Sequence, residues 1–166
     1  MRPSLTIIIA SSGRPSLQTT LDSFTSQLHP GDQCIIDVND DAPWGHKARN
    51  RSMELARGDG ILFIDDDDMY FAGALDIVRG ALEIVPDRPH IFRMLYNDGR
   101  QIWQRAGLVC GNVSTQMFVV PNIKDKLGRW GDRYEGDFDF IKSTCDLMGQ
   151  PLWHEEVIAM YGRADA

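Results

Sequence analysis

The chain has 166 residues, 43% of them apolar and 25% charged, enough for one globular domain with a buried core. A formal net charge of −7 argues against broad, non-specific binding to nucleic acid or anionic membrane, which needs basic surface, though not against a local basic pocket. No stretch approaches the ~18 consecutive apolar residues of a membrane span, and the first apolar run is too short for a secretory-signal core. Cys34, Cys110 and Cys145 are far apart and lack metal-ligand spacing, so they read as reduced thiols of a cytoplasmic protein.

In chain order, "LTIIIA" (5–10) is a continuous β-branched run and predicts a strand buried on both faces. A turn, "SSGRPS", precedes Leu17, Leu21, Phe24 and Leu28, which fall at helical spacing. "QCIIDV" (33–38) predicts a second strand leading into the polar loop "NDDAPWG". Ala48, Ser52, Leu55 and Ala56 form one helical face, with Gly58 as the expected C-terminal stop. "ILFID" (61–65) is a third strand, and Phe71, Leu75, Val78, Leu82 and Val85 mark a helix closed by Pro86. This β-α alternation implies a parallel sheet with helices on both faces.

The second half reads differently. "HIFRMLY" and "QIWQ" flank the turn "NDGR" and predict a hairpin. "STQMFVV" (114–120) is a further strand, Phe138, Ile141, Cys145 and Met148 describe a last helix, and "EEVIAMY" a final strand. The expected fold is therefore α/β, a mixed central sheet flanked by helices. A single domain, 1–166, would divide into an α/β half (1–89) and a mixed half (90–166).

In open α/β sheets, ligands bind beyond the carboxyl ends of the strands. Ser11, Ser12 and Arg14 follow the first strand, Asp40 and Asp41 the second, and Asp65, Asp66, Asp67 and Asp68 end the third. Clustered carboxylates suit a hard divalent cation, Mg²⁺ or Mn²⁺, that completes its shell with water and substrate phosphate. Lys47, Arg49 and Arg51 at the start of a helix add cations, so the pattern points to a diphosphate. One or two of the aspartates could instead cap the following helix, but four in a row exceed that need. The sequence contains neither G-x-x-x-x-G-K-[ST] nor G-x-G-x-x-G, which argues against a P-loop or dinucleotide site.

The segments "LTIIIASSGRPSLQTTLDSF", "IIDVNDDAP", "ARNRSMELARGDGILFIDDDD", "GNVSTQMFVVP" and "EGDFDFI", in this order, resemble the GT-A-fold glycosyltransferases, closest to the large inverting family numbered 2. The resemblance implies a Rossmann-like nucleotide-diphospho-sugar transferase fold with a nucleotide-binding half (1–89) and an acceptor and catalytic half (90–166); the chain is short for it and reads as a bare catalytic core with little room for an acceptor-binding domain. It implies a nucleoside-diphosphate sugar donor, UDP-linked by expectation, whose base and ribose are held by Ala10, Ser12 and Asp40 or Asp41; Arg14, Lys47, Arg49 and Asp66 are the further candidates for binding the nucleotide. It implies Mn²⁺ or Mg²⁺ at a D-x-D motif formed by Asp65 and Asp67, with Asp66 left open by the one-residue ambiguity of the tetra-Asp run, and His154 as a late ligand. Gly107 and Gly111 fall in the loop ahead of the acceptor-side strand.

The family's usual E-D pair is replaced here by Gly136 and Asp137, which leaves Asp137 as the expected catalytic base or, alternatively, an N-cap of the last helix, with Asp139 a weaker candidate for the base. Trp130 and Trp153 are either an aromatic face for an acceptor or core residues. The acceptor is a hydroxyl of a small molecule, glycan, lipid-linked sugar, protein or modified DNA base. Two other readings fit the same residues: a nucleotide-sugar binding protein without catalysis, and a metal-dependent nucleotidyl- or phosphotransferase.

Overall fold

A computed structural model describes residues 2–38 and 43–162. The first half is β1 (Leu5–Ser11), α1 (Leu17–Phe24) with a 3₁₀ turn over Thr25–Gln27, β2 (Gln33–Val38), α2 (His46–Leu55), β3 (Gly60–Asp65), β4 (Met69–Tyr70) and α3 (Ala74–Ile84). The second is β5 (His90–Leu95), β6 (Gln101–Ile102), β7 (Phe118–Pro121), α4 (Gly136–Met148) and β8 (Leu152–Met160). The strands form one mixed sheet in the order β2-β1-β3-β7-β5-β8-β4, with β6 paired to β5.

The central strands explain themselves chemically. Every residue of β1 is buried, and so are Ile61 to Ile64 of β3, because helices cover both faces. β1 runs parallel to both β2 and β3, and its register sets Ala10 opposite Asp65. The strand ends that carry polar residues thus lie side by side. β7 turns the sheet antiparallel at β3, pairing Gly60 with Pro121 and Ile61 with Val120. β5 and β6 form the predicted hairpin, and β8 returns parallel to β5.

Three local expectations are corrected. Gly58 does not cap α2 with a left-handed residue: the helix ends at Leu55, and Ala56 is already extended. A Cβ at Gly58 would lie 2.5 Å from the backbone of Leu5, so glycine is needed there for close approach to β1. The helix predicted from Phe71 starts only at Ala74, because Met69 and Tyr70 pair with β8 and Gly73 turns the chain at φ 81°. Asp137 is not an N-cap: α4 begins one residue earlier, and Asp137 sits in its first turn.

Trp130 and Trp153 are packing residues. Trp130 is buried, stacked on Phe140 at a centroid separation of 3.7 Å and set edge-on to Phe63. Trp153 meets Trp103 edge to face at 5.2 Å. A buried ion pair bolts the first half: Arg79 of α3 donates to Asp32, whose other oxygen accepts from the Leu5 amide at 2.8 Å.

His154 belongs to this scaffold and not to the acid cluster. Its ring stacks on Phe92 at 4.5 Å, and its Nε2 lies 2.9 Å from Nδ1 of His90. His90 in turn donates from Nε2 to the Val85 carbonyl, so its Nδ1 is the acceptor and His154 the donor. Placed near the start of β8, whose opposite end pairs with β4 just after the aspartates, His154 does not reach them. The expectation of a histidine metal ligand is not met.

Burial pushes the pKa of His90 down to about 4, so it is neutral in the native state and must be protonated only on unfolding. Stability is therefore complete above the unfolded histidine value and falls as acid is added toward the native value. From pH ~6.5 to the native value the loss integrates to roughly 3 kcal/mol at most. The urea midpoint of the wild type should drop between pH 7.5 and 5 by more than that of His90→Gln; equal drops would remove His90 as the cause.

Candidate functional site

A cavity of about 850 Å³ opens at the carboxyl ends of β1 and β3. Its walls come from the loop after β1, the start of α2, the aspartate turn, the segment before β7 and the start of α4. Ala10, Ser12, Arg14, Arg49, Asp65, Asp66, Asp67 and Asp137 all line it. Lys47 is exposed on α2 and outside the lining. Arg51 holds Asp37 of β2 through two 2.6 Å hydrogen bonds. Asp40 and Asp41 lie outside the described residues.

The four aspartates are not equivalent. Asp65 accepts from the buried Arg49 guanidinium and, at 2.9 Å, from Gln116 Nε2. Asp66 turns away from the others and is buried; it accepts from Ser11 Oγ at 2.7 Å and the Ser12 amide at 3.0 Å, which pins the loop after β1. Asp67 is paired with Arg14 at 2.6 Å. Asp68 is fully buried and accepts from Gln116 Nε2 at 2.8 Å and the Gly162 amide at 2.7 Å. Asp65, Asp67 and Asp68 each offer an oxygen, and these oxygens lie within 4.8 Å of one another. This cluster of three aspartates can coordinate a divalent metal. The donor set is wholly carboxylate oxygen, which fits hard Mg²⁺ or Mn²⁺ better than a softer ion.

Electrostatics follow from crowding. Burial raises the Asp65 pKa, Arg49 opposes this, and Asp137 and Asp67 raise it again. Burial pushes the Asp68 carboxyl up to about 8, with Asp65 adding to the shift. For Arg49, burial alone would lower the pKa, but Asp65 and Asp137 outweigh it and the group stays charged.

Asp137 faces the same cavity from the first turn of α4. Trp130 Nε1 donates to its Oδ1 at 2.9 Å and Thr115 Oγ1 to its Oδ2 at 3.2 Å, which fixes the plane of the carboxylate. Asp139 is bound instead by Arg133, at 2.5 and 2.7 Å.

His46, buried at the start of α2, has Nδ1 3.0 Å from the Gly131 carbonyl, an acceptor, so Nδ1 carries the proton. Its Nε2 faces Asp137 Oδ1 at 3.8 Å. Burial lowers its pKa, with Asp137 opposing. The same ring explains Gly136: a Cβ there would lie 2.4 Å from His46 Cε1 and 2.7 Å from the Gly131 carbonyl. The space of any longer side chain is already filled.

Sequence reasoning missed Asp68 as a cluster member, and missed Gln116, His46, Trp44 and Tyr134. Asp68 stood in the quoted motif, but only the turn geometry, with its amide donating to the Asp65 carbonyl at 3.2 Å, swings it back to the cluster. Gln116 sits in a run that reads as plain strand; residues 115–117 form a 3₁₀ turn that aims its amide at both carboxylates.

No known protein-family model matches the chain, and no curated protein matches its sequence. Solved structures do match in fold. S. aureus TarS 1–349 superposes with a TM-score of 0.70 at 13% identity over 95% of this chain and 60% of its own. The same TarS piece in complex with UDP-GlcNAc gives 0.68 at 12% identity, over 95% of this chain and 58% of its own. Glucosyl-3-phosphoglycerate synthase from Mycobacterium tuberculosis, in complex with Mg²⁺ and UDP, gives 0.67 at 13% identity, over 95% and 70%. The chain thus spans about 60% of the TarS 1–349 piece. It has a Rossmann-like, GT-A-like fold resembling UDP-sugar-binding glycosyltransferases.

Gly136→Ala should destabilise the fold by about 1–3 kcal/mol, the usual range for overpacking. Adding His46→Ala should recover part of that loss, because the ring clash is relieved while the Gly131 carbonyl stays close. Chemical denaturation of the two variants and the wild type measures both; an unaltered Gly136→Ala midpoint would show that the segment simply shifts.

Proposed function

We propose that the protein is a metal-dependent glycosyltransferase that moves a sugar from a nucleoside-diphosphate sugar, UDP-linked, to an acceptor hydroxyl with inversion. The observation that carries the reading is one cavity lined both by Asp65 and Asp67, two members of a three-carboxylate cluster whose third, Asp68, is buried behind them, and by a separate, oriented carboxylate, Asp137. Support comes from the fold, since TarS has been crystallised with UDP and with UDP-GlcNAc, and the glucosyl-3-phosphoglycerate synthase with Mg²⁺ and UDP.

In this reading Ala10 and Ser12 border the nucleotide, and Asp40 or Asp41 is its acidic partner. Asp65, Asp67 and Asp68 hold the cation. When bound, Mg²⁺ or Mn²⁺ supplies positive charge that offsets the charge of a diphosphate. Arg14 and Arg49, which balance Asp67 and Asp65 in the protein alone, add positive charge at the same end of the cavity. Asp137 takes the proton of the acceptor hydroxyl as the oxygen attacks the anomeric carbon and the bond to the leaving diphosphate breaks. Trp130 and Thr115 keep that carboxylate in one orientation, which spares the reaction the entropy of finding it.

UDP should stabilise the protein only with Mn²⁺ or Mg²⁺ present, by about 2.7 kcal/mol at roughly 100 times its dissociation constant. Thermal shifts with cation and with excess chelator test this, and equal shifts would rule out a shared metal site. The reaction itself is tested by the product: a sugar transferase releases free nucleoside diphosphate, a nucleotidyltransferase pyrophosphate.

Asp137→Asn should keep both hydrogen bonds, because its amide oxygen can accept from Trp130 and the Thr115 hydroxyl can rotate to accept from the amide nitrogen. It cannot take a proton. Transfer should fall by about 10²-fold or more while UDP binding stays. Undiminished transfer would remove Asp137 as the base.

A further inference from the structure

Two aromatic side chains at the cavity rim are absorbed neither by the core nor by the aspartate cluster. Trp44, just before α2, is 48% exposed, and Tyr134, just before α4, is 76% exposed. Both line the cavity. Their ring centroids are 6.2 Å apart with planes at 78°, so they form a right-angled corner. The His46 ring backs Trp44 at 5.7 Å. Trp44 also adopts φ 68°, a left-handed conformation that is uncommon for a residue with a side chain. Its carbonyl accepts from Nη1 of buried Arg49, which holds the backbone in that state. Strained backbone of this kind persists where surrounding structure enforces it, and it concentrates at ligand sites.

The charges around the corner define what it can bind. Of the lining arginines, Arg14 is engaged by Asp67, and Arg49, which lies buried beneath the Trp44 carbonyl, is neutralised by Asp65. Beside the corner stand Glu135 and Asp137, with His46 uncharged. Arg133, outside the lining, binds Asp139 at 2.5 Å and lies 4.0 Å from Glu135, a looser pairing that leaves the Glu135 oxygens open to hydroxyl donors. Carboxylates only accept hydrogen bonds, so they call for a ligand rich in hydroxyl donors and repel a phosphorylated one. A flat base stacks best between parallel faces, whereas this corner offers one face and one edge. A pyranose chair suits it: its C–H bonds, slightly positive, meet the negative face of a ring, and its equatorial hydroxyls point outward to the carboxylates.

We propose that the Trp44–Tyr134 corner, with Glu135 beside it, is a subsite for an uncharged pyranose ring of the acceptor. The proposal rests on the reading of the cavity as a sugar-transfer site and adds the acceptor's chemical class, a neutral glycan.

The test is saturation-transfer NMR on the full chain, irradiating aromatic protons, with methyl β-glucopyranoside, glucose 6-phosphate and thymidine as separate probes. Methyl glucopyranoside should show ring C–H enhancements that fall about tenfold in Trp44→Ala and in Tyr134→Ala. Glucose 6-phosphate and thymidine should show weaker ones. Circular dichroism checks folding, and Tyr134, being mostly exposed, can be truncated without disturbing the core. No enhancement in the wild type, an undiminished one in both variants, or a stronger one from thymidine would overturn the assignment. So would loss of UDP stabilisation in Trp44→Ala, which would place the corner in the donor site. If UDP fails to stabilise the wild type but the glucopyranoside signal persists and depends on Trp44, the donor reading falls and the sugar subsite stands.

Discussion

Like charges at the end of a buried strand are the constraint around which this protein is arranged. Two carboxylates ~4 Å apart repel by about 1 kcal/mol in water and about 4 kcal/mol at an effective dielectric of about 20. Four consecutive aspartates after an apolar strand would be untenable if they shared one environment. The fold gives each a different set of donors: Arg49 and Gln116 for Asp65, the loop after β1 for Asp66, Arg14 for Asp67, and Gln116, shared with Asp65, together with the Gly162 amide for Asp68. Gln116 spends both amide protons on this task, and its oxygen accepts from Ser114. Asp65, Asp67 and Asp68 remain close enough to share a cation, and Asp66 becomes a structural latch.

Arg49 meets Asp65 across a close packing of α2 and its flanking segments on β1. Glycines permit this before the helix, at Gly45, and in the segment that follows it, at Gly58. A Cβ on Gly45 would be 2.6 Å from the Ala10 side chain, and one on Gly58 would press on the Leu5 backbone. The guanidinium then reaches Asp65, which β-sheet register places beside Ala10. Packing and charge are thus one design: the close approach that buries Arg49 also determines which carboxylate it neutralises and where the Trp44 carbonyl is held.

Much of this was legible in the sequence, for identifiable reasons. Strands buried on both faces are continuous apolar runs, so β1 and β3 could be read within a residue of their ends, and β2, a β-branched run, in full. The acidic turn and Asp137 stood out because carboxylates beside apolar elements are costly unless used. What failed depended on partners distant in the chain. Gly58 reads as a helix stop, yet its role is set by Leu5. His154 reads as a late metal ligand, yet His90 and Phe92 claim it. Gly136 reads as a gap in a motif until the His46 ring is seen filling the space. The Arg79–Asp32 pair gives no local signal at all, since its members are 47 positions apart.

The bond from the Gly162 amide to Asp68 crosses 94 positions of sequence. It has a consequence for the order in which the molecule comes together. Contacts of such separation form late, because a long loop must close before they add any stability. During synthesis, at about 5–20 residues per second, the aspartate turn emerges many seconds before β8 and the residues that follow it. Through that interval the nascent acidic turn lacks the Gly162 amide, and for part of it Gln116 as well. The acid cluster reaches its finished geometry only when the last strand docks, so the cavity is completed by the end of the fold and not by the half that carries most of its charge.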